Sequence, residues 1–341
     1  MRAIAVLGVA TALAVALPTA AQAGTSPITV PGYEFSLIGE HNLAGTTRYA
    51  GTTVGGITGV DYDESSGGFR LLSGDRADAR FYTGTFSLSG ACPKPALTGV
   101  GKLRKADGTR FAGVDPQALR YDAATGHVLW ADAGDRTRKV DPSVREAAGN
   151  GAFVGQFATP DVQKVAVDGV GAQSGKSLSG LTLTSDGQVL TALRGPLAQD
   201  GDATRLTLHD RASGDPLVQF AYLPDAVAGN GVSEILAVAD SRFLVLEQAG
   251  VNSAKLYEID FALGATNVAD LPSLAGQTYQ PVAKRLVLDL TRLGLSTVDD
   301  LEAVTWGPTL SDGARTLVFV SDNKLKYYKR TQLIAVKVRL S

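Results

Sequence analysis

The chain has 341 residues, with 32 basic against 34 acidic side chains, a formal net charge of −2 and a single cysteine. That balance supplies neither the basic face that nucleic acid requires nor a polybasic patch for a membrane surface, and a lone Cys92 excludes an intramolecular disulfide. Its 39 glycines suit many turns, and helix formers are not arranged in long amphipathic runs, so the expected class is all-β.

Taken in chain order, the first element is a targeting segment. Arg2 precedes an apolar stretch from Ala3 to Leu17, Pro18 ends it, and Ala21-Gln22-Ala23 has the small-x-small pattern of a cleavage site. Residues 1–23 are expected to be a signal peptide cleaved near Ala23, and residues 24–341 a single domain of a secreted or extracytoplasmic protein. No later segment approaches the ~20 apolar residues of a membrane helix. Tyr33 to Ile38 is a strand candidate placed to pair with the last unit of the chain and close a ring.

A short phrase then recurs five times: a polar residue, a small residue or Ile, and two apolar residues separated by one. The copies are Thr58–Tyr62, Gln117–Tyr121, Ser179–Leu183, Glu234–Val238 and Glu302–Trp306, starting roughly 55–68 residues apart. Each leads through a turn rich in Asp, Gly and Ser into a second apolar run, such as Phe243-Leu244-Val245-Leu246 or Leu317-Val318-Phe319-Val320. Most continue after a longer loop into a third strand, though that of the second copy is not obvious. Segments such as Leu217–Tyr222 and Arg285–Leu290 supply fourth strands. Four-stranded units at this period predict a β-propeller with a central channel, with six blades favoured over five and a repeated two-sheet sandwich as the competitor. The stretches Ser143 to Lys176 and Asn267 to Tyr279 read as elaborated loops between blades.

In such a unit the start of strand one and the end of strand two lie at one end of the hairpin. The repeat therefore brings Thr58, Gln117, Ser179, Glu234 and Glu302 to the same channel mouth as Asp75, Asp132, Glu247 and Asp322. Crowded carboxylates repel unless a hard cation gathers them, and Ca²⁺ takes six to eight oxygens. Ca²⁺ is the expected cofactor, with Asp75, Glu234, Glu302 and Asp322 as its shell. Asp132 and Glu247 would serve as base or outer support, and Arg76 would hold a substrate anion. Gln117, Asn252 and Asn323 would add neutral oxygens, and Arg80 a further cation. One cysteine and three scattered histidines (His41, His127, His209) offer no zinc spacing. His127 and His209 lie inside strand patterns and read as ordinary surface or packed residues. No Gly-x-Ser-x-Gly is present, and Ser174-Gly175-Lys176-Ser177 lacks the first glycine of a phosphate cradle. Metal-activated water therefore fits better than a covalent nucleophile.

Several phrases together resemble a known family, the secreted "esterase-like activity of phytase" or phytase-like domain. They include Gly55–Tyr62, Leu72–Arg76 with Arg80-Phe81-Tyr82, Val114–Ala118, Gly195-Pro196-Leu197, Gly231–Ala237, Phe243–Glu247, Leu301–Pro308 and Val320–Asn323. The resemblance runs from about Gly55 to the C-terminus. It implies a propeller related to alkaline phytases, hydrolysis of phosphoesters or esters, and Ca²⁺. The chain departs from the family pattern at Gln117 and Ser179, where Glu is usual, and at Gln248, where Arg is frequent. Two fewer carboxylates weaken a cation site.

The expected function is a hydrolase of phosphoester or carboxylic ester bonds in a small-molecule substrate, acting as a monomer without nucleic-acid or membrane partners. A sugar-lactone hydrolase-like enzyme is the nearest variant. A non-catalytic propeller that binds a ligand or a wall component is the alternative from another class.

Overall fold

The structure, a computed structural model, describes residues 26–88, 93–111, 113–166 and 168–340. The expected signal peptide and Cys92 lie outside the described residues. Apart from three single-turn 3₁₀ segments, all regular structure among the described residues is strand.

Among the described residues, five antiparallel sheets of four or five strands succeed one another along the chain, beside a two-stranded ribbon of Arg48–Tyr49 and Thr52–Thr53. Blade I is built from Ile57–Asp63, Gly68–Ser73, Arg80–Ser87 and Lys94–Lys102, and blade II from Pro116–Asp122, His127–Asp132, Ser143–Ala147 and Phe153–Gln156. Blade III comprises Leu178–Leu183, Val189–Leu193, Thr204–His209 and Pro216–Tyr222, and blade IV Gly231–Ala237, Arg242–Gln248, Lys255–Asp260 and Lys284–Asp289. Blade V orders Leu301–Gly307, Arg315–Ser321 and Arg330–Leu340 beside the N-terminal strands Tyr33–Ala44 and Ile28–Val30. The predicted all-β propeller is therefore present, with the lower of the two blade counts.

The reason for five rather than six lies in two places. The N-terminal run pairs with the last strand, from Tyr33↔Leu340 to Ala44↔Arg330, so it widens blade V instead of seeding another blade. The stretch from Ser143, expected to be a loop, contains the third and fourth strands of blade II. That third strand escapes the sequence pattern because Ser143, Arg145 and Glu146 leave it only Val144 and Ala147 as apolar residues.

Each of the five repeat phrases lies in the innermost strand of a blade, with Val238 of the fourth just past the strand's end. The blades pack through five apolar wedges, one between each neighbouring pair. Leu72, Phe81, Leu119 and Trp130 join blades I and II, and Leu129, Leu181 and Val189 join II and III. Leu206, Ile235 and Phe243 join III and IV, Leu244, Val304 and Leu317 join IV and V, and Val60, Leu71 and Val318 complete the circle between V and I. Burial of these side chains is the main favourable contribution to the fold.

The channel between the inner strands is plugged. Arg120 spans it, donating to the carbonyl of Val60 at 2.9 Å, of Ile235 at 2.9 Å and of Val304 at 3.2 Å, which belong to blades I, IV and V. Asp61 accepts from the Tyr121 backbone N–H and the Thr305 hydroxyl in the same region. The channel mouth is therefore a pocket with a floor.

Candidate functional site

Every inner strand carries a β-bulge at the same place, where one residue drops out of register with its neighbour. The unpaired residues are Thr58, Gln117, Ser179, Ser233 and Glu302. A bulge turns a side chain away from the regular alternation of the ladder. In the first, second, third and fifth blades it falls on the first residue of the repeat phrase, the residue expected at the channel mouth. In the fourth it falls on Ser233, one residue before the phrase begins. Thr58 and Ser179 each donate their hydroxyl to the carbonyl preceding the bulged residue of the next blade, Pro116 at 2.9 Å and Val232 at 2.7 Å. Ser233 accepts from Arg194. The position-matched set thus contains a single acid, Glu302.

Glu234 is displaced accordingly. It is wholly buried and accepts from the backbone N–H groups of Leu181 and Ile235 at 2.9 and 3.0 Å, with Arg120 3.3 Å away. Burial pushes its carboxyl up to about 8 despite the neighbouring guanidinium. It belongs to the channel plug rather than to the mouth.

A cavity of about 240 Å³ opens at the mouth, lined by Asp115, Gln117, Ser177, Ser179, Arg194, Asp300, Glu302 and Lys324 among others. Asp115, Ser177 and Asp300 stand two residues before the bulged residues of their blades, and Arg194 follows the second strand of blade III. The side chains form a closed circuit. Arg194 donates to Glu302 at 2.8 Å and to Gln248 at 3.3 Å, and Gln248 donates to Asp300 at 2.7 Å. Lys324 completes it, with its ammonium 2.9 Å from Asp300, 3.3 Å from Glu302 and 3.0 Å from Asp322.

The electrostatics follow from burial and from that circuit. Burial raises the carboxyls of Glu302 and Asp322 above the usual range, against the pull of Arg194 and Lys324 on the first and of Lys324 on the second. Burial also acts on Asp300, but its bonds to Lys324 and Gln248 outweigh it and hold that carboxyl low. Lys324 is held above the ordinary lysine range, because Glu302, Asp322 and Asp300 outweigh its desolvation. Across the cavity, burial raises Asp115, opposed by Arg76 at 3.8 Å and by the Gln117 amide. The Ser177 hydroxyl is buried and has no hydrogen-bond partner among the described residues.

The other expected site residues are dispersed. Asp75 lies in a separate cavity, where it pairs with Arg80 at 2.6 Å and accepts from the N–H groups of Ala77 and Asp78. Arg80 is saturated by Asp75, Tyr82 and the carbonyls of Asp78 and Thr53. Asp132 is enclosed under the mouth, accepting from the N–H groups of Asp115 and Gly134 and pairing with Arg145. It holds Asp115 in place without lining the cavity. Glu247 has its own shell of Tyr222, Asn230, Lys284 and the Asp225 N–H. Arg76 is at the rim, bonded to Asp135 at 2.9 Å. Asn252 caps the Val298 N–H, and Asn323 accepts from the N–H groups of Gly56 and Leu325. His209 is packed against Phe157 and His127 pairs with Glu146, as their strand positions suggest.

Of the four residues expected to form a Ca²⁺ shell, only Glu302 and Asp322 come together, and they meet on the Lys324 ammonium. Among the described residues no three Asp, Glu, His or Cys side chains are grouped to hold a metal ion. As arranged, the mouth does not fit Ca²⁺, because an internal cation already stands among its acids. Asp115, Asp300 and Lys324 were not foreseen as site residues. The signal for the first two was present as Asp115-Pro116-Gln117 and Asp300-Leu301-Glu302, an acid two residues ahead of the phrase.

Comparison with curated proteins finds no match. Among solved structures the fold is similar to a GH43 β-1,3-galactosidase in complex with galactodeoxynojirimycin, at 10% identity and TM-score 0.49, covering 83% of this chain and 91% of that one. It is also similar to an endo-arabinase from Bacteroides thetaiotaomicron, at 10% identity and TM-score 0.48, covering 88% and 97%. An engineered GH43 glycoside hydrolase with endo-xylanase and exo-arabinofuranosidase activity aligns at 11% identity and TM-score 0.47 over 83% of this chain but 50% of its own length. The family model described as "Phytase-like: Esterase-like activity of phytase" matches residues 52–324, a span that takes in all five inner strands and the whole mouth circuit. On that match the chain belongs to the phytase-like family.

Proposed function

We propose that the channel mouth hydrolyses carboxylic esters, with Asp115 as the proton-handling group and the Lys324 and Arg194 cations facing the acyl oxygen. The observation that carries this reading is the charge of the pocket. Three carboxylates, Asp115, Asp300 and Glu302, line it against two cations, Arg194 and Lys324. A phosphomonoester dianion meets like charge there, whereas a neutral acyl ester does not. Water attacks the acyl carbon as the Asp115 carboxylate takes its proton. Negative charge develops on the carbonyl oxygen beside the ammonium, and collapse expels the alkoxide, which recovers the proton from Asp115. The raised Asp115 carboxyl is suited to this exchange. The unsatisfied Ser177 hydroxyl in the wall supports a polar ligand group at the same place.

A second reading, binding without turnover, is favoured by one observation. Glu302, Asp300 and Asp322 are all committed to internal cations, so Asp115 alone handles a proton. Steady-state assays with a neutral aryl acyl ester and an aryl phosphate separate the two. The expected result is turnover of the acyl ester, reduced by roughly 10²-fold or more in D115N. Activity confined to the phosphate, or unchanged in D115N, overturns the assignment; ligand binding with no turnover of either substrate establishes the second reading.

A further inference from the structure

The turn that follows the second strand of blade V is unusual in its backbone. Lys324 and Leu325 both adopt left-handed conformations, with φ of 52° and 55°. Non-glycine residues avoid that region, and two in succession persist only where surroundings impose them. The surroundings are evident. The Asp322 carboxylate accepts from the Lys324 N–H at 2.6 Å. The Asn323 amide oxygen accepts from the Leu325 N–H at 3.0 Å and from the Gly56 N–H of the neighbouring blade at 2.7 Å. Asn323 also presses so closely on Gly55 that a Cβ there would lie 2.7 Å from its oxygen. The turn is thus clamped from both sides, and its outcome is the placement of one ammonium among Asp300, Glu302 and Asp322.

The distances distinguish that ammonium from a metal ion. The carboxylate oxygens stand 2.9–3.3 Å from the nitrogen, the spacing of N–H···O bonds, whereas Ca²⁺ draws its oxygens to about 2.3–2.6 Å. We propose that the Lys324 ammonium is the built-in cation of the channel mouth, standing where a divalent ion would stand among Asp300, Glu302 and Asp322, so that this chain binds no Ca²⁺ there. As placed around the ammonium the three carboxylates are not grouped to hold a metal, but removing it takes away the charge they share, and with only Arg194 opposite they would have to close on a hard cation to relieve their repulsion. The inference concerns ion binding and not turnover, so its failure and that of the ester-hydrolase reading are separable.

The test uses the purified full chain and CaCl₂ alone as probe, read by calorimetric titration and by melting temperature in chelator against millimolar Ca²⁺. The wild-type chain is expected to show no Ca²⁺ heat and no melting shift. K324M is expected to gain both, and K324M/E302Q to lose them again. K324Q serves as a second variant; if either lysine variant is unfolded in chelator, recovery of folding with Ca²⁺ is the same gain. Ca²⁺ binding by the wild-type chain that E302Q abolishes overturns the proposal. So does a set of lysine variants, folded or unfolded, that Ca²⁺ leaves unchanged.

Discussion

Glu234 stands where the other four inner strands carry Gly59, Ala118, Gly180 and Ala303, the residue just after each bulge. Small residues are required there because the strands converge: a Cβ on Gly59 would lie 2.8 Å from the Leu119 nitrogen. One blade departs from the rule, and its carboxyl meets Arg120 from blade II. Burial pushes Glu234 up to about 8, against an ordinary glutamate value of 4.5. Between those pH values the folded chain retains a proton that the unfolded chain has released, so the stability tied to this group falls as pH rises and is lost above about 8. Glu234→Gln cannot titrate, so the drop in melting temperature from pH 5 to pH 8.5 should be smaller in E234Q than in the wild type. Equal slopes would place the titration elsewhere.

At the level of the strand and its loops, the repeat makes the inner strands and most of their partners legible in the sequence, because apolar alternation and Asp/Gly turns are local properties. The phase of the fourth copy was not legible. Ser233 and Glu234 are both polar, and both precede the same Ile235, so nothing local says which one the bulge expels. Lys324 was equally hidden, because its role depends on a turn clamped from blade I and on acids 22 and 24 residues away in sequence. The predicted loop Asn267 to Tyr279 is fixed by a device that burial alone reveals. Arg205 and Asp200, both with fully buried side chains, form a two-pronged pair. Arg205 also donates to the carbonyls of Val268 and Leu271, and Asp200 accepts from the Leu274 N–H. Arg205→Met should therefore cost about 3–5 kcal/mol in chemical denaturation, since it leaves a buried carboxylate unpaired. R205M/D200N should recover part of that loss, and a cost below about 1 kcal/mol would show that the loop does not depend on the pair.

For the whole molecule, the decisive contact is the pairing of Tyr33–Ala44 with Arg330–Leu340. It joins the two ends of the described chain within one blade and removes the edges that an open array would present. Ile28–Val30, by contrast, pairs with Tyr33–Ala44 alone. A chain beginning after Val30 should keep a single cooperative unfolding transition with only a modest shift. A chain beginning after Ala44 should lose that transition and aggregate, as followed by circular dichroism and size-exclusion chromatography. Retention of cooperative unfolding in the shorter chain would show that four complete blades close without the strand. The same pairing sets a timetable. Tyr33–Ala44 leaves the ribosome long before Arg330–Leu340, so the ring stays open until that later strand has been made, and the mouth circuit, which needs Asp300, Glu302 and Lys324 together, cannot form before Lys324.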